Sequence, residues 1–433
     1  MRKGAAIFVF LWICTLCACG QVPINTSSAT LSDSQVSDDT IMPFLKTSSS
    51  KVQLVTSPQG ASQIALAKDG GYQLHMLESG GMVLNYIDYA TKVRMPLCTR
   101  PDCKHKDDTC AAWFPQCGGI LFMNSEKDRL FCVTYADAVQ ESTDSIWEIS
   151  LDGSVRSNIY RLRSSENFVD AVAANKDHLF FTVRCFADAT SNIQKQLYAL
   201  DLESKEVYPI MKYGDADWLY GAFDHSIVIL SYQSESTDHT FVYYIYDLIS
   251  GEKREFYSYG YFSDGRRAIS QTDGSSLFLI NPTTPDLAEV TRIEMDSGEQ
   301  TIICNNLPYY SSDTSFIQGI YDGKILVDIT RADEKTREID SHRYSVDCSS
   351  GEIAELSLTI QNGNLIEYLP VLGSATEEEF LVINGYEQHE IMLAGNDGTY
   401  YSTQVSLPRY AFINKNNYWS NIQKFDFIKD ISI

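Results

Sequence analysis

The chain has 433 residues, of which 44% are hydrophobic and 21% charged, and its 34 basic and 57 acidic residues give a net charge of −23. This composition can fill a hydrophobic core, which excludes a disordered chain. The acidic excess argues against nucleic-acid binding, because phosphate recognition needs clustered lysine and arginine. After the N-terminus, no stretch is apolar over the length of a membrane-spanning helix.

The first residues have the composition of an export signal. Arg2 and Lys3 form a short basic region, and the apolar run Gly4–Thr15 that follows is too short to span a membrane. The tetrapeptide Leu-Cys-Ala-Cys at 16–19 resembles the lipobox of bacterial lipoproteins. That resemblance implies removal of residues 1–18, acylation of Cys19 at its thiol and amine, and anchoring at the extracytoplasmic face of the cell membrane. An ordinary secretory signal cleaved nearby is the alternative.

Residues 19–50 form the next segment, which is rich in Ser, Thr and Asp and has few large apolar side chains. Such a composition is typical of a flexible linker. Ordered patterning begins near Val52, so the sequence predicts one folded domain over residues 51–433.

A unit of about fifty residues recurs through this domain, a length within the range of known repeat arrays. Each copy has a tight turn with an acidic residue, followed by a strongly apolar run. The turn aspartates are Asp69, Asp128, Asp177, Asp224, Asp273 and Asp322, at intervals of 59, 49, 47, 49 and 49 residues, and a seventh turn contains Glu377–Glu379. The first interval is longer because a cysteine-rich segment lies inside it.

A second element repeats with the same period, a strand rich in aromatic residues that ends in a polar turn. Its copies are Leu84–Asp88, Ile146–Ile149, Leu197–Asp201, Val242–Asp247, Thr291–Met295 and Tyr344–Asp347. Each unit therefore reads as two hairpins, or four short strands. The pattern resembles a β-propeller of the TolB, WD40 or kelch type, without their signature motifs. We predict an all-β, seven-bladed propeller of four-stranded antiparallel sheets; six or eight blades, a series of β-sandwiches and a solenoid are the alternatives.

The last blade must close the ring, because an open sheet edge favours aggregation. We predict that Arg409–Ile413 is its third strand and that Val52–Val55, which lies before the first unit, is its outer strand. The Asp397-Gly398 turn falls on the same period and would give a different assignment.

In a four-stranded blade the first-to-second and third-to-fourth turns lie on one face, and here they are short. The segments expected on the opposite face are long: Tyr135–Asp144, Arg184–Gln194, Ser231–His239, Asn281–Glu289, Arg331–His342 and Asn384–Leu407. Long loops on a rigid scaffold are frequent binding sites. These segments carry Asp137, Glu141, Asp144, Asp188, Glu235, Asp238, Asp333, Glu334, Glu338, Asp340, His239, His342 and His389, which could attract a cation or a basic partner, or simply face water.

The cysteine-rich insertion at 98–117 has the spacing Cys-x4-Cys-x-His-x4-Cys and lies in the crossover from blade 1 to blade 2. With the lipobox and the propeller pattern, its Pro-Leu-Cys and Pro-Asp-Cys-Lys-His sequences resemble uncharacterised surface lipoproteins of Gram-positive bacteria. Cys98, Cys103, His105 and Cys110 could complete the tetrahedral shell of a structural zinc ion. Disulfides are one alternative, because an exported protein meets oxidising conditions and Cys117 supplies a fourth thiol, and free thiols are another.

Motifs of common enzyme classes are missing from the sequence. It contains no Gly-x-Ser-x-Gly, no Gly-rich phosphate loop after a strand and no His-Glu-x-x-His. We therefore expect a lipid-anchored module that binds an envelope glycan or protein through its long-loop face. The alternatives are a glycan hydrolase or lyase with carboxylates in the central channel, and a sensory subunit of a membrane complex.

Overall fold

The computed structural model describes most of the chain from Phe44 onward. The described residues are 44–46, 49–56, 62–77, 81–115, 118–136, 142–187, 192–235, 238–260, 268–309, 315–332, 339–363, 365–394 and 400–431.

Seven antiparallel sheets form the blades of a β-propeller, as the repeat predicts. We call the four strands of each blade a to d, from the central channel outward. In blades 1 to 3 they are Ile64–Leu66, Gly70–Met76, Met82–Asp88 and Val93–Pro96; Gly119–Met123, Leu130–Thr134, Ser145–Ile149 and Arg156–Arg161; and Glu166–Ala174, His178–Ala187, Asn192–Asp201 and Val207–Tyr213.

Blades 4 to 7 follow the same plan. Their strands are Asp217–Phe223, Ser226–Glu235, Asp238–Asp247 and Lys253–Gly260; Ile269–Thr272, Ser276–Pro282, Leu287–Glu294 and Gln300–Pro308; Phe316–Tyr321, Lys324–Ala332, Ile339–Asp347 and Ile353–Leu356; and Val371–Ser374, Glu379–Ala394, Tyr400–Asn414 and Phe425–Phe427. Strand c of blade 7 contains Arg409–Ile413, which confirms that prediction; Asp397 and Gly398 lie outside the described residues.

The apolar runs after the acidic turns form the b strands, which are covered on both faces by neighbouring blades. In blade 3, Leu179, Phe180 and Phe181 are completely buried, and they alternate between the clusters shared with blades 2 and 4. Burial is lower in strand d of blade 4, where no residue is fully buried. A strand with both faces buried needs a continuous apolar run, which explains why the b strands give the strongest sequence signal.

The acidic residues of the repeat form the a–b turns. In blade 6, Asp322 and Gly323 both have positive φ, 51° and 71°, as a two-residue type I′ turn requires. Aspartates at the ends of c strands act differently: the Asp247 carboxylate accepts hydrogen bonds from the Ile249 and Ser250 amides at 2.8 and 2.7 Å. All these turns lie on one face, which we call the turn face. The b–c hairpins and the crossovers between blades lie on the other, the hairpin face.

The ring is closed by packing and by a C-terminal strand. Lys429–Asp430 pairs in parallel with Val93–Arg94 in strand d of blade 1. Beneath it, an apolar cluster joins blades 1 and 7; it contains Ile64, Ile87, Tyr89, Ala375, Leu381, Tyr410 and Phe412.

The prediction that Val52–Val55 forms the outer strand of blade 7 is wrong. Phe425–Phe427 occupies that position. Gln53 and Leu54 instead pair with Ala174 and Ala173, on the channel side of strand a of blade 3. The small side chains on that strand leave room for an additional strand, and Val52 is completely buried there, whereas an outer strand would expose it.

The described residues Val52–Val55 thus lie in the central channel. The amides of Phe44 and Leu45 donate to the Leu248 carbonyl on the turn face. The Val52 amide donates to the Asp224 carbonyl at 2.5 Å, and the Val55 amide donates to Val172 deeper in the channel. Ser62 then reaches the beginning of blade 2 from the hairpin-face side, where its carbonyl accepts from the Leu121 amide. The first contact with the propeller among the described residues is that of Phe44, within the segment predicted as a linker.

Several segments predicted as long loops are extended b–c hairpins. The longest belongs to blade 7, where pairing continues from Glu379 with Asn414 to Ala394 with Tyr400. An additional hairpin, Thr359–Asn362 with Leu365–Tyr368, separates blades 6 and 7, and Trp113–Phe114 adds to strand c of blade 1. A short helix, Lys415–Trp419, follows strand c of blade 7. Within the described ranges, no helix combines the length and the apolar character that a bilayer-spanning segment needs.

Candidate functional site

The structure brings together the four side chains of the Cys-x4-Cys-x-His-x4-Cys segment. The ligand atoms of Cys98, Cys103, His105 and Cys110 all lie within 4.8 Å of one another. His105 Nδ1 lies 3.3 Å from Cys110 Sγ. Cys103, His105 and Cys110 are buried, and Cys98 is partly exposed.

The backbone around the cluster is held by local turns and by blade 1. The Leu97 amide donates to the Leu84 carbonyl, and the Leu84 amide donates to Ala112, so both ends of the loop attach to strand c. Cys103, Cys110 and Phe114 belong to the apolar core shared by blades 1 and 2. The cluster therefore occupies the crossover between these blades.

The ionisable side chains of the cluster differ in the direction of their pKa shifts. Burial raises the pKa of the Cys103 thiol, but hydrogen bonds from the His105 amide, from Cys110 and Cys98 and from Arg100 outweigh it, so that this pKa lies below its ordinary value. Burial raises the pKa of Cys110 to about 12. Burial and the nearby Arg100 guanidinium lower the pKa of His105, which favours a neutral imidazole.

Three sulfur atoms and one imidazole nitrogen are the donor set of structural zinc sites. Cys98, Cys103 and Cys110 are free cysteines in the structure. Cys117, the fourth thiol of the disulfide alternative, lies outside the described residues, as does Cys19.

The carboxylates expected on the hairpin face do not form one described group. Asp144 is buried, and its carboxylate accepts hydrogen bonds from the Ala136 and Phe168 amides at 2.7 and 2.8 Å. Burial raises the pKa of Asp144 despite these hydrogen bonds. It is a structural link between blades 2 and 3. Residues 137–141, 188–191 and 333–338, which hold six of the predicted acidic residues, lie outside the described part of the chain.

The histidines of the hairpin face have separate partners. His342 Nδ1 lies 2.7 Å from Glu355, and this hydrogen bond, with Asp340 nearby, raises the pKa of His342 against the effect of burial. His239 Nδ1 lies 2.7 Å from the Tyr232 hydroxyl, and the two rings stack. His389 lies 3.4 Å from Glu387 on the hairpin of blade 7.

Aromatic side chains near the end of the blade 4 hairpin form a partly exposed row. Tyr232 contacts both His239 and Phe241, and Phe241 contacts Tyr259 on strand d. Of the tyrosines in the chain, many are buried between blades, including Tyr243 and Tyr246. The row at blade 4 differs because its rings reach the hairpin face.

The central channel holds a cavity of about 580 Å³ beside the N-terminal segment. It is bordered by residues 51–54 and by the a strands of blades 4, 5 and 6. Its described lining includes two carboxylates, Asp224 and Asp273, both on the turn face, and Asp224 pairs with Lys51 at 3.3 Å.

No protein-family model matches the chain, and no curated protein matches its sequence. Solved structures with a similar fold include the acylaminoacyl peptidase of Pyrococcus horikoshii, with 10% identity over 83% of this chain and a TM-score of 0.48. This chain spans about half of that peptidase, 51% of its length. The propeller domain of the Trilobed protease from Pyrococcus furiosus has 10% identity and a TM-score of 0.47, covering 88% of this chain and 99% of that domain. TolB from Acinetobacter baumannii has 10% identity and a TM-score of 0.29, covering 78% of each chain. Similarity at this level concerns the fold alone.

Sequence reasoning missed Arg100, which lies beside the cysteine cluster. Its Nη2 donates to Cys103 Sγ at 2.9 Å and to Thr109 Oγ1 at 3.2 Å. An arginine between two candidate thiol ligands was a usable signal, because a thiolate attracts a nearby cation. The Arg156 guanidinium, which stacks on Phe114 and Trp147, had no local signal, because it comes from strand d of blade 2.

Proposed function

We propose that the chain is a lipid-anchored, extracytoplasmic binding module that presents the hairpin face of its propeller to an envelope glycan or protein. Cys19, in the sequence that resembles a lipobox, would carry the acyl chains. In this proposal the lipid supplies membrane affinity and the propeller supplies the recognition surface.

The route of the N-terminal segment is the observation that carries the proposal. Phe44 packs against His178, Phe180 and Tyr208 at the turn-face end of blade 3, and it follows Cys19 by 25 residues. In this proposal the chain from Cys19 meets the described propeller on its turn face, which leaves the hairpin face available for the partner.

The chemistry of the hairpin face supports a recognition role. Tyr232, Phe241 and Tyr259 offer aromatic surfaces, and the two tyrosines combine apolar area with a polar hydroxyl. At the tip of the hairpin between blades 6 and 7, the Leu365 and Ile366 side chains are 47% and 78% exposed. Rigid hairpins that project aromatic and apolar side chains are suited to contacts with another molecule.

Photo-crosslinking in intact cells tests the orientation and the binding face together. A photoreactive amino acid replaces Ile366 or Gln388 on the hairpin face, and Ser297 or Ser350 on the turn face as matched exposed controls. We expect one recurring glycan or protein adduct from the hairpin-face positions and lipid adducts from the turn-face positions. Protein or glycan adducts formed only from Ser297 and Ser350 would overturn the assignment of the binding face.

The anchor and the binding activity need separate measurements. We expect Cys19→Ser to release the chain from the membrane fraction and to abolish its acyl mass; an unchanged acyl mass would refute lipidation at Cys19. Cell-wall glycan fragments incubated with the full chain should be retained without cleavage, and retention should fall in Phe241→Ala. Release of shortened fragments would identify an enzyme instead of a binding module.

A further inference from the structure

We propose that Cys98, Cys103, His105 and Cys110 bind one Zn²⁺ ion in a closed structural site that fixes the crossover between blades 1 and 2. This site is separate from the hairpin-face recognition proposed above, and it does not depend on it.

The donor atoms lie close to the separations that a tetrahedral zinc shell requires. Zinc bonds of about 2.3 Å to sulfur and about 2.0–2.1 Å to nitrogen place tetrahedral donors roughly 3.6–3.8 Å apart. The 3.3 Å between His105 Nδ1 and Cys110 Sγ, and the 4.8 Å limit for the whole set, bracket these values. Small side-chain rotations would bring all four donors to bonding distance.

The backbone of the loop shows that it needs an internal support. No described strand or helix lies between Pro96 and Trp113, and the two polar side chains Asp107 and Thr109 make short-range turn contacts within it. His105 has a φ of 50°, a left-handed conformation that is unfavourable for a residue other than glycine. Ligation of its imidazole would hold the residue in this conformation.

Arg100 completes the charge balance of the site. Three thiolates and Zn²⁺ carry a net charge of −1, and the guanidinium that donates to Cys103 Sγ at 2.9 Å returns it to zero. Hydrogen bonds to zinc-bound sulfur orient the ligand and raise metal affinity. Arg100 is therefore a positioning residue for the metal.

The proposed role is structural because four protein donors leave no position for water or substrate. Cys98 lies two residues after the end of strand d of blade 1, and Cys110 precedes Trp113–Phe114, which pairs with strand c of the same blade. One zinc ion bound by these residues would hold the beginning and the end of the crossover against blade 1.

Metal analysis of the full chain, purified in detergent, tests the proposal. We expect about one zinc per chain, and at least a tenfold loss of zinc affinity in Cys103→Ser and in His105→Asn, measured by competition with a chromogenic chelator. Arg100→Met should bind zinc about 10–100-fold more weakly. Cys304→Ser and Cys348→Ser, in blades 5 and 6, are the matched controls and should retain the wild-type affinity. Unchanged zinc affinity in both ligand variants would overturn the proposal.

A measurement on the wild-type chain covers the case in which the variants do not fold. Cys98 and Cys185 are both partly exposed thiols. We expect Cys98 to react with an alkylating reagent more slowly than Cys185 until a strong zinc chelator is added, after which its rate should rise. A Cys98 alkylation rate that the chelator does not change would show free thiols instead of a metal site. A metal-free chain whose mass is lower by two hydrogens would show a disulfide instead.

Discussion

Lys92 and Glu379 form an ion pair of 2.6 Å although they are 287 residues apart in the chain. Lys92 belongs to the c–d turn of blade 1, and Glu379 begins strand b of blade 7. The same ammonium group contacts Asp426 at 2.7 Å, on strand d of blade 7. One lysine thus links the first blade to two strands of the last blade at the point where the ring closes.

We expect Lys92→Ala to lower the free energy of unfolding by about 1–2 kcal/mol. Both Lys92 and Glu379 are mostly buried, and removal of the lysine leaves a shielded carboxylate without its partner. Arg163→Ala is the matched control, because its pair with Glu166 is exposed on the arginine side and 3.8 Å long; it should cost under about 0.5 kcal/mol. Urea unfolding monitored by tryptophan fluorescence measures both. Equal losses of unfolding free energy in the two variants would show that the Lys92–Glu379 pair stabilises the fold no more than an exposed pair does.

The C-terminal strand should stabilise the ring beyond this ion pair. Deleting residues 429–433 removes the Lys429 and Ile431 amide hydrogen bonds to blade 1 and the two contacts from Arg94 to Asp430, at 2.6 and 2.9 Å. We expect a loss of about 1–3 kcal/mol and faster hydrogen exchange in Val93–Pro96. Deletion of residues 432–433 alone is the control and should leave the exchange of that strand unchanged.

Because Val52 is buried in the central channel, a charged side chain at this position should strongly destabilise the fold. The side chain is completely buried against Ala171, Ala173 and Leu219, so Val52→Asp should destabilise the chain by more than about 3 kcal/mol, and Val52→Ala by about 2 kcal/mol. The neighbouring Lys51 is exposed, and Lys51→Ala should have little effect. Thermal unfolding and protease cleavage near residue 52 provide the readouts. A tolerated Val52→Asp would contradict the channel position of this segment.

A buried ion pair in blade 6 should be costly to break from one side. Arg343 donates to both carboxylate oxygens of Asp328, at 2.6 and 2.7 Å, and to the Leu369 carbonyl at 2.6 Å. Asp328→Ala leaves a buried guanidinium unpaired and should cost about 3–5 kcal/mol. The double variant Asp328→Leu/Arg343→Met removes both charges and should recover most of that loss, apart from about 1 kcal/mol for the unpaired carbonyl. A double variant less stable than Asp328→Ala would refute this explanation.

The ion pairs of Glu148 should make the stability of the contact between blades 2 and 3 depend on pH. Burial raises the pKa of its carboxyl group, but hydrogen bonds from Lys205 and Arg129, both at 2.7 Å, outweigh burial and leave the pKa below its ordinary value. The stabilisation is therefore present above the ordinary glutamate pKa and is lost as the pH falls through the lower folded-state value. Unfolding midpoints measured from about pH 6 to about pH 3 should fall less steeply for Glu148→Gln than for the wild type. Glu203→Gln, at an exposed position in the next c–d turn, should keep the wild-type slope.

Local pattern was enough to predict the blades. The acidic a–b turns, the apolar b strands and the aromatic c strands depend on side-chain alternation and turn chemistry, which act between near neighbours. The same is true of the cysteine cluster, whose four side chains lie within thirteen consecutive residues. The long hairpins were misread as loops because their polar outer ends project into solvent, where alternating apolar residues are not needed.

The sequence by itself predicted the seven blades, their acidic a–b turns and the close approach of Cys98, Cys103, His105 and Cys110, because these depend on contacts within one repeat. Only the tertiary structure decided where Val52–Val55 lies, how Lys429–Asp430 closes the ring and why Asp144 is buried. Those outcomes depend on which sheet edge is free, how much space the inner alanines leave and which distant backbone amides point at a carboxylate. Such contacts join residues far apart in the chain, and no local period records them.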